Sequence, residues 1–236
     1  MLKIENLTKS YGEKRAVDDL SLHIRPGEIY GFIGHNGAGK TTTIKAACGI
    51  LQYDSGEIFL DGVSMKEDPI RAKASLAYIP DNPDLYDYMT GIQFLNFVAD
   101  IFGVADHDRK ERIRKYGDAF ELTADFAQPV ASYSHGMKQK LALISALIHE
   151  PKLIIMDEPF VGLDPKASYL LKEMMREICD KGGAIFFSTH VLEVAEKLCD
   201  KVAIIKSGKL IKSGTMEEVK GDTSLEQVFL ELEGEK

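Results

Sequence analysis

Short apolar runs separated by turn residues characterise the first third of the chain. Pro26-Gly27 and Asp61-Gly62 are dipeptides typical of turns. The apolar runs around them are strand candidates because they are short and bounded by turn residues, and they cover residues 2–7, 20–24, 29–33, 58–60 and 76–79. One helix is predicted in this part, over residues 43–48. Residues 1–82 are therefore predicted to form a mixed sheet.

The periodicity becomes helical from Thr90 onwards. Thr90 and Gln93 have the spacing of a capping box, in which each side chain bonds the other residue's backbone amide, and apolar residues follow at helical intervals. Two further helices are predicted, one over 109–120 and one that begins near Gly136. Residues 83–150 thus resemble a helical insertion between two α/β segments.

Strands and helices alternate again after Pro151. The predicted strands cover residues 153–156, 184–188 and 202–206, and Ser224 with Gln227 repeats the capping-box spacing before a short helix that ends near residue 232. We therefore predict one domain, divided as follows: an α/β core over 1–82 and 151–214, a helical subdomain over 83–150, and a C-terminal helical extension over 215–236.

Composition narrows the classes of protein. The chain has 236 residues and a net charge of −8, which argues against a dedicated nucleic-acid binder. The one basic stretch, residues 109–115, alternates with acidic residues, so it is either a solvated helix face or a contact for a membrane surface or partner. Three cysteines without metal-ligand spacing, Cys48, Cys179 and Cys199, indicate reduced core thiols.

Neither a signal peptide nor a membrane span is predicted. The first residues lack a signal peptide's apolar core. No apolar run approaches the ~20 residues that a spanning helix needs. We expect a cytoplasmic protein that reaches a membrane only through a partner.

One segment matches a phosphate-binding loop in full. Its glycines let consecutive backbone amides point at phosphate oxygens. Lys40 adds a charge for the β and γ phosphates, Thr41 offers a hydroxyl to Mg²⁺, and the helix that opens at Lys40 directs its positive end at the same oxygens. The segment reads Gly34-His35-Asn36-Gly37-Ala38-Gly39-Lys40-Thr41-Thr42.

Polar residues end two of the later strands. An apolar strand stops at Asp157 and Glu158, which a buried strand would not tolerate unless its end lined a site. Asp157 is placed to hold Mg²⁺, and Glu158 to act on an attacking water. A second apolar strand delivers His190, which can donate to a γ-phosphate or position water, although a lone histidine after a strand is more often structural.

Taken together, these residues resemble the nucleotide-binding subunit of an ATP-binding cassette (ABC) transporter, and the match covers nearly the whole chain in order. Tyr11 falls where that family stacks an aromatic ring on adenine. Ser134 and Gly136 fall in the family's signature sequence, Asp164 in the loop that meets the opposite subunit, and His190 on the switch histidine. The resemblance implies a phosphate-loop fold with an N-terminal antiparallel β part and an inserted helical subdomain.

The resemblance also implies the partners and the reaction. Two nucleotide-binding domains would close head to tail around ATP and Mg²⁺, with Lys40, Glu158 and His190 as the catalytic residues. A separate membrane permease would dock beside residues 82–89, whose apolar side chains could equally belong to the local core. The C-terminal helix favours an exporter, and the chain would lie on the inner face of the cell membrane.

Two departures from the family pattern bear on these roles. His135 and Met137 replace the usual glycine and glutamine of the signature, so Ser134 and Gly136 must provide most of its phosphate contact. Asp81 replaces a glutamine that helps to ligate Mg²⁺ and senses the membrane partner. A carboxylate can still reach a hard cation, although its charge and reach differ.

Two other functions stay open on the sequence alone. The first is a soluble ABC ATPase of translation or DNA repair, although the chain has neither a second cassette nor a long coiled coil. The second is a nucleotide-gated module that closes without turnover, which the altered signature permits and the presence of Glu158 argues against.

Overall fold

A computed structural model describes residues 1–234 and assigns ten strands within that range. The two final residues of the predicted 215–236 extension lie outside the described residues. The strands are β1 (Leu2–Tyr11), β2 (Lys14–Ile24), β3 (Ile29–Ile33), β4 (Ser55–Leu60), β5 (Val63–Ser64), β6 (Leu76–Ile79), β7 (Leu153–Asp157), β8 (Ala184–Thr189), β9 (Lys201–Lys206) and β10 (Lys209–Thr215).

Nine α-helices connect or follow these strands within the described range. They are α1 (Lys40–Ala47), α2 (Pro69–Lys73), α3 (Gly91–Ile101), α4 (Asp106–Ala119), α5 (His135–Leu147), α6 (Pro165–Asp180), α7 (Leu192–Leu198), α8 (Met216–Lys220) and α9 (Leu225–Gly234). Every helix of residues 1–234 is too short or too polar to cross a bilayer.

The strands form two sheets rather than the single mixed sheet predicted for residues 1–82. One sheet is antiparallel, with the order β2-β1-β4-β5, and the other has the order β10-β9-β3-β8-β7-β6. In the second sheet the strands from β9 to β6 are parallel, and β10 runs antiparallel to β9. The prediction was wrong because β3 and β6 leave their sequence neighbours and pair with strands from the second half of the chain.

β3 separates two hydrophobic cores. Successive side chains of a strand point to opposite faces, and here Ile29 and Ile33 join one core while Tyr30 and Phe32 join the other. The first core lies against the helices of the middle and the end of the chain, and the second lies between the two sheets and α1. All five residues of β3 are buried, which explains its uninterrupted apolar sequence.

Most predicted elements are present, with shifted ends. β1 and β2 extend beyond their apolar residues as a hairpin that pairs Tyr11 with Lys14, since backbone pairing continues along polar, exposed positions. Thr90 caps α3 with the predicted box, because its hydroxyl accepts from the Gln93 amide and the Gln93 side chain accepts from the Thr90 amide. The structure adds β5, β10 and α2, which the sequence did not predict.

The helical segment is inserted between neighbouring strands. α3, α4 and α5 all lie between β6 and β7 in sequence, and these two strands pair directly. The same helices share a core with β6 and β7, since Leu95 and Ile144 cluster with Ile79 and Met156. The boundaries proposed for the α/β core, the helical subdomain and the C-terminal extension stay a prediction.

The basic stretch lies on a helix and forms ion pairs. The cations of residues 109–115 lie on α4, where several are ion-paired, for example Lys110 with Asp106 at 2.8 Å.

All three cysteines are buried and unpaired. Burial raises the pKa of the Cys179 thiol to about 11, so this thiol stays protonated and unreactive near neutral pH.

Gly91, the first residue of α3, provides a test of the packing in the helical segment. A Cβ at this position would lie 2.3 Å from the Tyr133 hydroxyl oxygen, and that hydroxyl is buried and donates to the Asp125 carbonyl at 2.7 Å. Gly91→Ala is therefore expected to displace the ring and to lower the free energy of unfolding by about 1–3 kcal/mol. Urea denaturation measures this loss.

The matched control is Gly234→Ala, because a Cβ at Gly234 meets no atom of the described residues within 4 Å. Equal stability of the Gly91 and Gly234 variants would show that the Tyr133 ring moves aside freely.

Candidate functional site

The predicted phosphate loop connects the end of β3 to the start of α1. Its path depends on close contact with β9 and with residue 16, since a Cβ at Gly34 would lie 2.6 Å from the Ile205 carbonyl oxygen and one at Gly39 would lie 2.3 Å from the Ala16 carbonyl oxygen. Gly39 also has a φ of 112°, which disfavours any side chain. The loop is therefore tightly constrained by its neighbours.

Most predicted site residues line one cavity of about 310 Å³ at the carboxyl end of the parallel strands. Sites in open α/β sheets occur at this edge because the strand ends and helix starts meet there. The predicted residues in the lining are Tyr11, His35, Asn36, Gly37, Gly39, Lys40, Thr41, Thr42, Asp81, Asp157 and Glu158. Gly34 and Ala38 belong to the same loop but lie behind it, in buried positions.

Lys40 is folded back onto its own loop. Its ammonium donates to the Gly34 carbonyl at 2.6 Å and to the His35 carbonyl at 3.3 Å, and the residue is only 6% exposed. The ammonium also lies 3.6 Å from Glu158 Oε1. A buried cation held by two neutral carbonyls and one distant carboxylate is suited to bind a polyanion that enters the cavity.

Thr41 and Asp157 form an oxygen pair. The Thr41 hydroxyl donates to Asp157 Oδ2 at 2.6 Å, and Asp157 is 1% exposed. Mg²⁺ prefers hydroxyl, carboxylate, phosphate and water oxygens, and it usually takes few ligands from the protein. A threonine hydroxyl and a buried carboxylate next to a phosphate loop fit that ion. Asp81 lines the same cavity, where its Oδ1 accepts from the Asn82 amide at 2.8 Å.

Glu158 is held in an unusual backbone conformation. Its φ is 48°, a region that non-glycine residues rarely occupy and that tends to occur at functional sites. Its Oε2 lies 3.0 Å from Nδ1 of His190, whereas its Oε1 is buried without a hydrogen-bond partner. One carboxylate oxygen is therefore positioned by the histidine, and the other can accept a proton or a hydrogen bond.

Ser188 is a site residue that the sequence did not reveal. It is fully buried on β8. Its hydroxyl donates to Asp157 Oδ1 and accepts from the Glu158 amide at 3.1 Å. The register Asp157↔Ser188 between β7 and β8 produces this contact. Only the polar interruption of an apolar strand signals it in the sequence.

Tyr78 adds a second unpredicted polar group. Its hydroxyl is buried without a hydrogen-bond partner. Burial first, and then the charges of Asp157, Cys48 and Asp81, raise the pKa of the Tyr78 hydroxyl. The group therefore stays protonated and is available as a donor near the two acidic residues.

The remaining predicted residues do not line the cavity. Ser134 caps α5, where its hydroxyl accepts from the Met137 amide at 3.3 Å. Asp164 caps α6 by accepting from the Ala167 amide at 2.8 Å, and it also pairs with Lys140 of α5 at 2.7 Å. The Lys140 hydrogen bond, followed by the Ala167 amide, holds the pKa of Asp164 below its ordinary value.

The turn at Ser134 packs against the loop that contains Gly162. A Cβ at Gly162 would lie 2.4 Å from Cδ2 of His135, and a Cβ at Gly136 would lie 2.9 Å from the Gly162 carbonyl oxygen. His135, one of the departures from the family signature, therefore contacts this loop. The signature turn and the Asp164 loop form one continuous surface.

An exposed aromatic face lies beside the helical segment. We define the aromatic face as Tyr86, Tyr88 and Phe97. The centroid of the Tyr86 ring lies 5.7 Å from the centroid of the Tyr88 ring and 5.5 Å from that of the Phe97 ring. Tyr88 is 79% exposed. Leu85 and Met89, which the sequence grouped with these residues, instead pack partly buried against the core.

Comparisons with known proteins identify the family. The sequence model of the family described as "ABC transporter" matches residues 17–161, more than half of the chain. The chain belongs to the family of ABC transporter ATP-binding proteins. This family assignment confirms the resemblance on which the roles of Tyr11, Ser134, Asp164 and His190 were predicted.

Relatives and solved structures agree with that assignment. The chain is 39% identical over 220 residues to the uncharacterized ABC transporter ATP-binding protein YxlF of Bacillus subtilis (strain 168), covering 93% of this chain and 72% of that protein. It is 34% identical to the linearmycin resistance ATP-binding protein LnrL of the same organism, covering 91% and 69%. A solved ATP-binding subunit of an ABC transporter superposes with a TM-score of 0.95 at 34% identity, covering 99% of each chain.

Ser188→Ala tests the link between the two acidic residues of this ABC cassette. The substitution leaves the buried Asp157 carboxylate with one donor fewer and the Glu158 amide without its acceptor. The free energy of unfolding is expected to fall by about 1–3 kcal/mol, measured by urea denaturation.

Ser145→Ala is the matched control, because the structure gives the Ser145 hydroxyl a bond to the Ala142 carbonyl of its own helix at 2.8 Å. A Ser188 variant as stable as this control would mean that water replaces the hydroxyl.

Proposed function

We propose that this chain binds ATP together with Mg²⁺ and hydrolyses it, as one half of a dimeric site that drives a membrane permease. One observation supports this most strongly. Lys40, Thr41, Asp157 and Glu158 converge on a single cavity with Tyr11 in its wall. A phosphate loop, an oxygen pair suited to Mg²⁺ and a carboxylate with a free oxygen are the parts that phosphoryl transfer to water needs.

The nucleotide is bound mainly by the loop between β3 and α1. The backbone of residues 34–39 and the start of α1 cradle the phosphates, and the Lys40 ammonium exchanges its carbonyl acceptors for β- and γ-phosphate oxygens. Tyr11, half exposed at the cavity wall, stacks on the adenine. Thr41, Asp157 and Asp81 hold Mg²⁺, which neutralises phosphate charge when it is bound.

Hydrolysis depends on Glu158 and His190. A water molecule attacks the γ-phosphorus, its proton passes to Glu158 Oε1, and the bond to the bridging oxygen breaks to give ADP and inorganic phosphate. His190 keeps Glu158 in place through Nδ1 and uses its other ring nitrogen to contact the γ-phosphate. Ser188 fixes the backbone of the same glutamate.

The site is completed by a second copy of a cassette. Ser134, Gly136 and Asp164 form a continuous surface that does not line the cavity of their own chain. The N-terminal end of α5, a helix of 13 residues, directs its positive dipole end outward beside Ser134. A head-to-tail dimer places this surface against the γ-phosphate bound by the opposite loop.

The partner is a membrane permease that docks on the aromatic face. Exposed, clustered aromatic rings are typical of binding sites, and tyrosine is enriched at interaction hot spots. Export is the favoured direction, because the relative LnrL is named for linearmycin resistance and because the helical extension ends in α9. The chain then lies in the cytoplasm, on the inner face of the cell membrane.

Glu158→Gln is expected to keep ATP binding and to lose turnover. The amide preserves the shape of the side chain but cannot accept a proton, so kcat should fall by about 10²–10⁴-fold while the dissociation constant for ATP changes little. Steady-state phosphate release and equilibrium nucleotide binding measure the two quantities.

The control is Glu177→Gln, which should hydrolyse ATP normally. It removes a surface carboxylate of α6 that pairs with Lys181. Wild-type turnover by the Glu158 variant would exclude Glu158 as the base. Phosphate release is also the assay that separates an ATPase from a module that binds without turnover.

Lys40→Ala is expected to weaken both ATP binding and hydrolysis. Loss of charge-assisted hydrogen bonds to phosphate should raise the dissociation constant about 10- to 100-fold, as measured by isothermal titration calorimetry. Lys45→Ala, at an exposed position of the same helix, should bind ATP as the unmodified chain does. Unchanged affinity in the Lys40 variant would contradict the proposed binding mode.

A further inference from the structure

The two residues that flank Tyr88 of the aromatic face are hydrogen-bonded to the segment that precedes Ser134. The Val130 amide donates to the Met89 carbonyl at 2.8 Å, and the Ala131 amide donates to the Asp87 carbonyl at 3.1 Å. Just beyond these bonds, the Gly91 amide donates to the Gln128 carbonyl at 3.2 Å. Residues 87–91 and 128–131 are thus joined by backbone hydrogen bonds, although nearly forty residues separate them in sequence.

Side-chain packing extends this connection to the residue next to Ser134. Tyr133 lies so close to Gly91 that no Cβ fits between them, and its hydroxyl donates to the Asp125 carbonyl at 2.7 Å. The ring is buried. A displacement of the start of α3 must therefore move Tyr133 as well, because close-packed interiors transmit displacements instead of absorbing them.

One ion pair reaches the helix that Ser134 caps. Lys138 Nζ lies 2.7 Å from Asp87 Oδ1, and Asp87 stands between the two tyrosines of the aromatic face in sequence. The Lys138 amide donates to the Ser134 carbonyl at 2.9 Å, in the first turn of α5. The Lys138 side chain is 24% exposed and the Asp87 side chain is 62% exposed, so solvent screens this pair in part.

We propose that Asp87 and Lys138 are positioning residues that make the aromatic face and Ser134 move as one unit. The inference rests on the proposed function, since it assumes that a permease contacts the aromatic face and that Ser134 contacts ATP on a second copy. Movement of the permease then displaces Ser134 relative to that ATP. Coupling between two sites is reciprocal, so ATP capture by the dimer must also alter the environment of the aromatic face.

This reciprocity can be measured without the permease. The chain contains no tryptophan, so Tyr88→Trp introduces a single reporter on the aromatic face. In a Glu158→Gln background, ATP is expected to change the tryptophan emission as the dimer forms. Adding Asp87→Ala should reduce the amplitude of that change about two- to fivefold, the effect expected for loss of a partly exposed ion pair.

A charge exchange distinguishes loss of the ion pair from other effects of the substitutions. The double variant Asp87→Lys with Lys138→Asp restores opposite charges at the same positions, and it should recover most of the amplitude. Asp106→Ala is the matched control, because it removes an ion pair of similar length, with Lys110 at 2.8 Å, on a helix that contributes no residue to the aromatic face. The control should leave the amplitude unchanged.

Sedimentation velocity with ATP identifies which proposal fails. If the dimer forms but the emission does not change, or if Asp87→Ala behaves like Asp106→Ala, the coupling is absent and the proposed function stands. A charge exchange that does not restore the signal also overturns the role of the pair. If ATP binds and no dimer forms, the proposal of a site shared between two copies is contradicted, and the proposed coupling is rejected with it.

Discussion

Parallel pairing of β3, β8 and β7 is the constraint on which the candidate site depends. Parallel strands present their carboxyl ends at the same edge of a sheet. The loop that contains Lys40 follows β3, Asp157 ends β7, and His190 follows β8. Residues more than a hundred positions apart therefore meet within hydrogen-bond distance. The register of β7 against β8 then places Ser188 beside Asp157 and fixes the start of the Glu158 backbone.

The free carboxylate oxygen of Glu158 and the folded-back ammonium of Lys40 have one physical explanation. The Lys40 side chain and the Oε1 atom of Glu158 are buried, and buried charges are costly unless they are paired. Here the pairing is incomplete, because the Lys40 ammonium donates to carbonyls and lies 3.6 Å from Glu158 Oε1, which accepts no hydrogen bond from the described residues. A bound triphosphate and water would satisfy both groups. The cavity proposed to bind the nucleotide thus contains hydrogen-bonding groups that are not fully satisfied. The left-handed backbone of Glu158 is a further local energetic cost.

The turn at Ser134 is held in place by several direct contacts. Its turn packs on the Gly162 loop, and its helix is tied to Asp164 through Lys140. The segment before it is hydrogen-bonded to the two residues that flank Tyr88 of the aromatic face. The surface proposed to meet a second cassette and the surface proposed to meet a permease are consequently parts of one packed unit. Transmission between them needs no mobile linker, because every connection is a hydrogen bond, an ion pair or a close contact.

The sequence by itself determined the elements whose signals are local. The phosphate loop, the capping box at Thr90 and the buried β3 depend on residues within a few positions of each other, so their chemistry is visible in the primary structure. β10 escaped prediction because it is a polar, largely exposed edge strand that depends on its pairing with β9. Within residues 1–234, three features were decided only by the tertiary fold. They are the distribution of strands between two sheets, the contacts of Ser188 and Tyr78, and the Asp87–Lys138 pair. Each of these depends on segments distant in sequence, and their register is set by packing, which no local pattern encodes.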